Sequence, residues 1–269
     1  MTFSSKSLIP KKIRKNIIDM AFSGSTVHIG CALCLVEIFA VIYRNHLNYD
    51  YKKPNDLDRD FLILSKGHGV MAQYACMKEL GWLRKSDLIN YFSDGTELKG
   101  LSDSRVQGLE VTSGSLGHGL SVGIGIAFGN KINKTNQKVF IIVGDGELNE
   151  GSCWEAIQFA GHHALSNICM IVDKNNFQAM GETSKIINQN NLAAQIEAFN
   201  FNVIEIDGHN EDSIDNAINN LFSLQNNKPS CIVANTIKGK GISLMENKNE
   251  WHYLRLDQSL YMQALSELE

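Results

Sequence analysis

Three prolines in 269 residues leave almost nothing that reads as a linker, and one large globular α/β unit is expected. No apolar run reaches membrane-spanning length, which argues against a bilayer partner. No basic stripe with interleaved aromatics occurs, and at a net charge of −4 nucleic acid is not an expected partner. No block recurs at a fixed period. The start of the chain carries lysines, but Ile13, Ile17, Ile18 and Met20 are spaced as on an amphipathic helix rather than in a signal core. A cytoplasmic protein is therefore expected. The six cysteines lie mostly in apolar segments, as reduced core residues do. Cys31 and Cys34 have the spacing of a redox or zinc pair, but no second pair completes a four-ligand site. Both are read as core positions of one apolar helix over residues 31–43.

What the chain does have is alternation. Apolar runs at residues 60–64, 138–143, 167–172, 202–206 and 230–236 read as strands. Helix-spaced segments at 11–22, 69–80, 120–133, 150–165, 191–199 and 212–224 separate or flank them. The pattern predicts a doubly wound, mostly parallel sheet with helices on both faces.

Two polar pieces fall just past predicted strand ends, where open α/β sheets bind ligands: Gly144-Asp145-Gly146 and Asn175-Asn176. Asp145 offers a charged oxygen and Asn175 a neutral carbonyl, suited to a hard cation that takes further oxygens from phosphate. Gly144 and Gly146 let the backbone approach such a phosphate. Gly-Asp-Gly alone is an ordinary strand-to-helix turn; Asn175 at the matching strand end is what favours the metal reading. Glycines 114, 117, 119, 123, 125 and 129 lead into and through an apolar helix, which suggests close packing or contact with a ligand. Three loops hold a histidine: His28 before Ile29-Gly30, His68 in Ser65-Lys66-Gly67-His68-Gly69, and His252 after Trp251. Each could donate to phosphate or carry a proton near neutral pH. His162 and His163, adjacent on a helix, read as packing and surface.

Together these segments resemble the amino-terminal, diphosphate-binding part of the transketolases, from about His28 to His252. The resemblance rests on Leu64-Ser-Lys-Gly-His-Gly69, Gly114-Ser-Leu-Gly-His-Gly119, Gly144-Asp-Gly-Glu-Leu-Asn-Glu-Gly151, Val172-Asp-Lys-Asn-Asn176 and Lys238-Gly-Lys-Gly-Ile242, in that order. It implies a thiamine diphosphate-binding fold and thiamine diphosphate held with Mg²⁺ or Ca²⁺. The metal would be bound by Asp145, the Asn175 side chain and the Phe177 main-chain carbonyl. Gly144 and Gly146 would lie against the diphosphate with His68 and His252, and Gly114 and Leu116 would support the aminopyrimidine. His28 would face the substrate, and Glu150 would join a network between subunits near the cofactor. His28, His68, His252 and Glu150 are thus the catalytic candidates.

Two departures qualify the resemblance. Transketolases continue into a pyrimidine-binding domain and a third domain, whereas this sequence ends at Glu269. Those domains, with the glutamate that activates the aminopyrimidine, are expected on a partner chain, in an α₂β₂ assembly. Where the family reads Gly-His-Pro, this chain has Gly100-Leu101-Ser102, so the loss of a polar group puts an ordinary pentose phosphate donor in doubt. Ile29 also replaces the proline common after the first histidine. The leading expectation is transfer of a two-carbon ketol or acyl unit to an aldehyde or ketone acceptor, such as a sugar, active only with the partner. The alternatives are the E1α subunit of a 2-oxoacid dehydrogenase and a non-catalytic stabilising or regulatory subunit.

Overall fold

A computed structural model describes residues 8–56, 58–224 and 226–269, so the first seven residues of the amino-terminal stretch lie outside it. Its main sheet is formed by β1 (Phe61–Leu64), β2 (Val139–Gly144), β3 (Ile168–Lys174), β6 (Asn202–Asp207) and β7 (Ser230–Asn235), in the order β1-β2-β3-β7-β6. Every pairing in it is parallel. A short antiparallel hairpin, β4 (Phe177–Gln178) with β5 (Gly181–Glu182), stands apart from it.

The sheet's pleat divides the core in two. On one face Leu62, Leu64, Phe140, Ile142, Cys169, Ile171 and Ile232 pack under helices α1 (Pro10–Ser23), α2 (Ile29–Leu33), α3 (Val36–Val41) and α4 (Val70–Glu79). Beyond α4 comes a short helix, α5 (Lys85–Ile89), and the other face is covered by α6 (His118–Ile132) and α7 (Gly151–His162). These lie over Ile63, Val139, Ile141, Val143, Met170, Val172 and Val233. Side chains alternate between the faces along each central strand, as a period of two requires, which is why the strands read as unbroken apolar runs. The edge strand β6 is only half buried and carries Glu205 and Asp207 outward.

The glycines of α6 have two different explanations. A Cβ at Gly123 would lie 2.6 Å from Ile141 Cδ1, and one at Gly119 2.6 Å from Ser65 Cα, so these two let the helix settle on the sheet. Gly125 and Gly129 face open space.

One element differs from expectation. The segment 31–43 is not a single helix: α2 ends at Leu33, a turn intervenes, α3 follows, and a π turn, Ile42–His46, closes the segment. The Cys34 thiol donates to the Cys31 carbonyl at 3.1 Å, while the Leu35 amide turns to Ala32 O. A side chain competing for a helical acceptor interrupts the ladder at that point. Among the described residues no helix is long and apolar enough to cross a membrane.

Candidate active site

Four loops leave the carboxyl edge of the sheet together. After β1 come Ser65, Lys66 and His68; after β2, Asp145 and Glu147; after β3, Asn175 to Gln178; after β7, Thr236 and Lys238. With the start of α2, the Gly114 loop and the turn around His252, the first three enclose a cleft of about 440 Å³, and Thr236 and Lys238 stand behind it against Asp173 and His252. Its walls include His28, Cys31, His68, Leu101, Gly114, Leu116, Gly144, Asp145, Gly146, Glu150, Asn175, Phe177 and His252. Every candidate position taken from the sequence is therefore brought to one place.

The floor is a polar network built on Asp173, which is fully buried at the end of β3. Asp173 is ion-paired with buried Lys66, accepts from Thr236 Oγ1 and from Asn175 Nδ2 at 2.9 Å, and lies 3.0 Å from Cys34 Sγ, whose single proton it shares with the Cys31 carbonyl. Burial alone would raise its pKa, but Lys66 and these donors hold it below the usual carboxylate range. The contact to Nδ2 also fixes the Asn175 amide, leaving Oδ1 to accept from the Phe177 N–H at 3.0 Å.

Asp145 is buried beside this network. Its oxygens accept from the Gly146 N–H at 2.8 Å and the Asn176 N–H at 2.7 Å. Asn176 adopts a left-handed conformation (φ 64°), which turns the chain so that Asn175 and Phe177 come back toward Asp145. Burial, and then the charge of Asp173, push the Asp145 carboxyl up to about 7. Among the described residues it forms no ion pair. A buried carboxylate without a cationic partner, beside a fixed amide oxygen, suits a hard divalent ion.

Across the cleft, His28, His68 and His252 cluster with ring centroids 5.0 to 5.4 Å apart. His28 itself adopts a left-handed conformation (φ 67°) at the head of α2, and its N–H donates to the His252 carbonyl at 3.0 Å. Burial and then Lys238 lower the His28 pKa to about 4 and that of His252 to about 3; burial and then Lys66 hold His68 well below 6.5. All three are neutral imidazoles at pH 7. Lys238, buried, donates to Asn249 Oδ1 at 2.8 Å and lies 3.2 Å from His252 Nδ1.

Glu150 sits at the head of α7, exposed at the rim, without an ion pair or side-chain hydrogen bond among the described residues. Leu101 packs on Gly114, whose φ of 148° brings the backbone to the cleft, and presents a half-exposed apolar surface there.

Sequence reasoning gave no role to Glu147, Asp173, Lys66 or Lys238, although each lies inside a quoted motif. Glu147 accepts from Ser65 Oγ at 2.5 Å, the Gly117 N–H at 2.9 Å and the Gly144 N–H at 3.1 Å. It thereby ties three ligand-side loops together. A signal was present: charged residues directly after buried strands need partners.

Residues 5–264 match the model of the family described as transketolase, thiamine diphosphate binding domain. The chain belongs to the transketolase family. Among similar proteins is one subunit of the apulose-4-phosphate transketolase of Actinobacillus succinogenes, 38% identical over 90% of this chain and 88% of that protein. The 6-deoxy-6-sulfo-D-fructose transketolase subunit SqwG of a Clostridium species is 36% identical over 96% of this chain and 94% of its own length. The solved transketolase from Leishmania mexicana superposes with a TM-score of 0.88 at 27% identity over the whole of this chain, which spans 41% of that structure. This transketolase-family chain thus has the fold expected from its strand and helix pattern.

Proposed function

We propose that the chain is the diphosphate-binding component of a two-component transketolase that moves a two-carbon ketol unit between sugar-like substrates. The observation that carries this is Asp145: a buried carboxylate with no ion-pair partner, next to the fixed Asn175 amide, facing three neutral histidines across a cleft of ligand size. Asp145, Asn175 Oδ1 and the Phe177 carbonyl would hold Mg²⁺ or Ca²⁺ against the diphosphate. His68 and His252 would donate to its oxygens, with the Gly144 and Gly146 backbones close by. Gly114 and Leu116 would support the aminopyrimidine. When bound, thiamine diphosphate supplies the nucleophilic carbon, and the protein positions it.

The chain's own contribution is binding, orientation and charge. Neutral imidazoles can donate to a phosphate or a substrate oxygen without a counterion. His28, held by the His252 carbonyl, would face the reacting substrate. Leu116 and Leu101 would exclude water above it.

Relatives whose names make them one subunit of a transketolase support a partner chain. It would bear the pyrimidine-binding domain, in an α₂β₂ complex in the cytoplasm with Glu150 at the contact. The substrates in those names, a sugar phosphate and a sulfosugar, support an anionic sugar here. Leu101 favours a donor that needs no hydrogen bond at that position. The Gly114 loop at the cleft, with Lys238 reaching His252 from behind, supports a transketolase over a component of a 2-oxoacid dehydrogenase.

The test is calorimetric titration of thiamine diphosphate with Mg²⁺ into this chain alone and into its complex with the partner. Binding in the complex, followed by release of a two-carbon-shortened aldehyde from a ketose donor, is expected. Absence of binding in both would overturn the reading.

A further inference from the structure

Two divalent chemistries meet in the cleft. Asp145 and Asn175 offer oxygen, whereas the opposite wall offers sulfur and nitrogen. Cys31, His68 and His252 each place one ligating atom so that all three lie within 4.8 Å of one another. Cys31 Sγ is 3.4 Å from His252 Nδ1. In a tetrahedral zinc site, bonds of about 2.3 Å to sulfur and about 2.0 Å to nitrogen put ligand atoms roughly 3.3 to 3.6 Å apart. With His252 Nδ1 as ligand one edge of the triangle already has that length, and the others need to shorten by up to about 1.5 Å.

We propose that Cys31, His68 and His252 form a site for a borderline-soft divalent cation of the zinc or cobalt class, and that this ion and the diphosphate exclude one another.

The three ligands come from α2, the turn after β1 and the turn around residue 252, and the hydrogen bond from the His28 amide to the His252 carbonyl fixes two of these elements to each other. Cys34 is not a ligand: its thiol is committed to Asp173 and the Cys31 carbonyl. The missing second cysteine pair is thus replaced by two histidines distant in sequence. On binding, the Cys31 S–H bond breaks, its proton leaves to solvent, and the sulfur lone pair forms the bond to the metal. Where ligation uses His252 Nδ1, the contact from Lys238 is given up, and Lys238 keeps Asn249 Oδ1. The fourth position faces the cleft, toward His28 or water. Lys66 and Lys238 add positive charge and limit affinity, while the thiolate offsets part of it. A thiolate with two imidazoles selects zinc or cobalt over magnesium, which prefers the oxygen wall.

The exclusion rests on the function proposed above; the ion site does not. Co²⁺ is titrated into the full-length reduced chain and its spectrum recorded. A thiolate-to-cobalt charge-transfer band with tetrahedral visible bands is expected, retained in Cys34→Ala and Asp145→Ala. It should be lost in Cys31→Ala and weakened at least tenfold in affinity in His68→Gln, with circular dichroism confirming that both variants are folded. No band in the native chain, or an equal band in folded Cys31→Ala, overturns the site. In the complex with the partner, Zn²⁺ should weaken thiamine diphosphate binding at least tenfold, and Cys31→Ala should remove that effect. A cobalt band in a chain whose complex never binds thiamine diphosphate upholds the ion site and overturns the exclusion alone.

Discussion

The two walls of the cleft meet over one edge of the sheet but behave as opposites. On one, Asp145 and Asn175 present oxygens, and a carboxylate is buried with its charge unmatched. On the other, three imidazoles are held neutral by burial and by the lysines beside them. Beneath both lies the Lys66–Asp173 pair: Asp173 anchors the amide beside Asp145, and Lys66 adds to burial and Lys238 in keeping the histidines neutral. One buried ion pair thus touches both sides.

Breaking that pair is the strongest way to erase the contrast. Lys66→Met would leave Asp173 charged and buried, and should lower the stability of the chain by about 3–5 kcal/mol in urea denaturation. Lys66→Met with Asp173→Asn should recover most of the loss. A loss below about 1 kcal/mol in the single variant would show that Asp173 takes up a proton instead.

Removing the oxygen wall alone is next. Asp145→Ala should weaken metal-dependent thiamine diphosphate binding in the complex by at least about 100-fold, with the fold retained. Near-native affinity would exclude Asp145 as a ligand. On the imidazole wall, His252→Ala should weaken diphosphate binding by about tenfold, the loss of one charge-assisted hydrogen bond. Unchanged titrations and kinetics would separate His252 from the ligand.

A further effect is one of pH. His28 and His252 bind protons near 6.5 when unfolded but only at about 4 and about 3 when folded. Through these two groups the unfolded chain takes up more protons in that window and stability falls as pH drops from about 6.5 toward 4, while Asp145, pushed up to about 7 in the fold, contributes in the opposite sense. The melting temperature of the chain should follow, with a shallower acid limb in His28→Gln. An identical limb would mean that His28 titrates normally when folded.

Much of this was legible in the sequence because period and position carry it. The strands were found within a residue or two, since a parallel strand buried on both faces must be apolar throughout. That Asp145, Asn175 and the three histidines share one cleft was legible because glycines and strand ends mark ligand-side loops. The break at Cys34 was not, because a thiol reaching a helical carbonyl has no periodic signature. Nor were the roles of Glu147, Asp173 and Lys238, which lie in partners far away in the chain: Ser65 is 82 residues from Glu147. The Cys31 triangle was hidden for the same reason, its histidines being set by folding rather than by spacing.

The carboxylate of Glu147 holds the amides of Gly117 and Gly144, and the hydroxyl it receives from Ser65 in turn accepts from the Leu120 amide. Three loops distant in sequence therefore share one latch, and none can open to solvent without disturbing the others. In hydrogen–deuterium exchange the amides of Gly117, Leu120 and Gly144 would then report a single cooperative opening, so that the glycine loop is as slow to exchange as the strand end it touches.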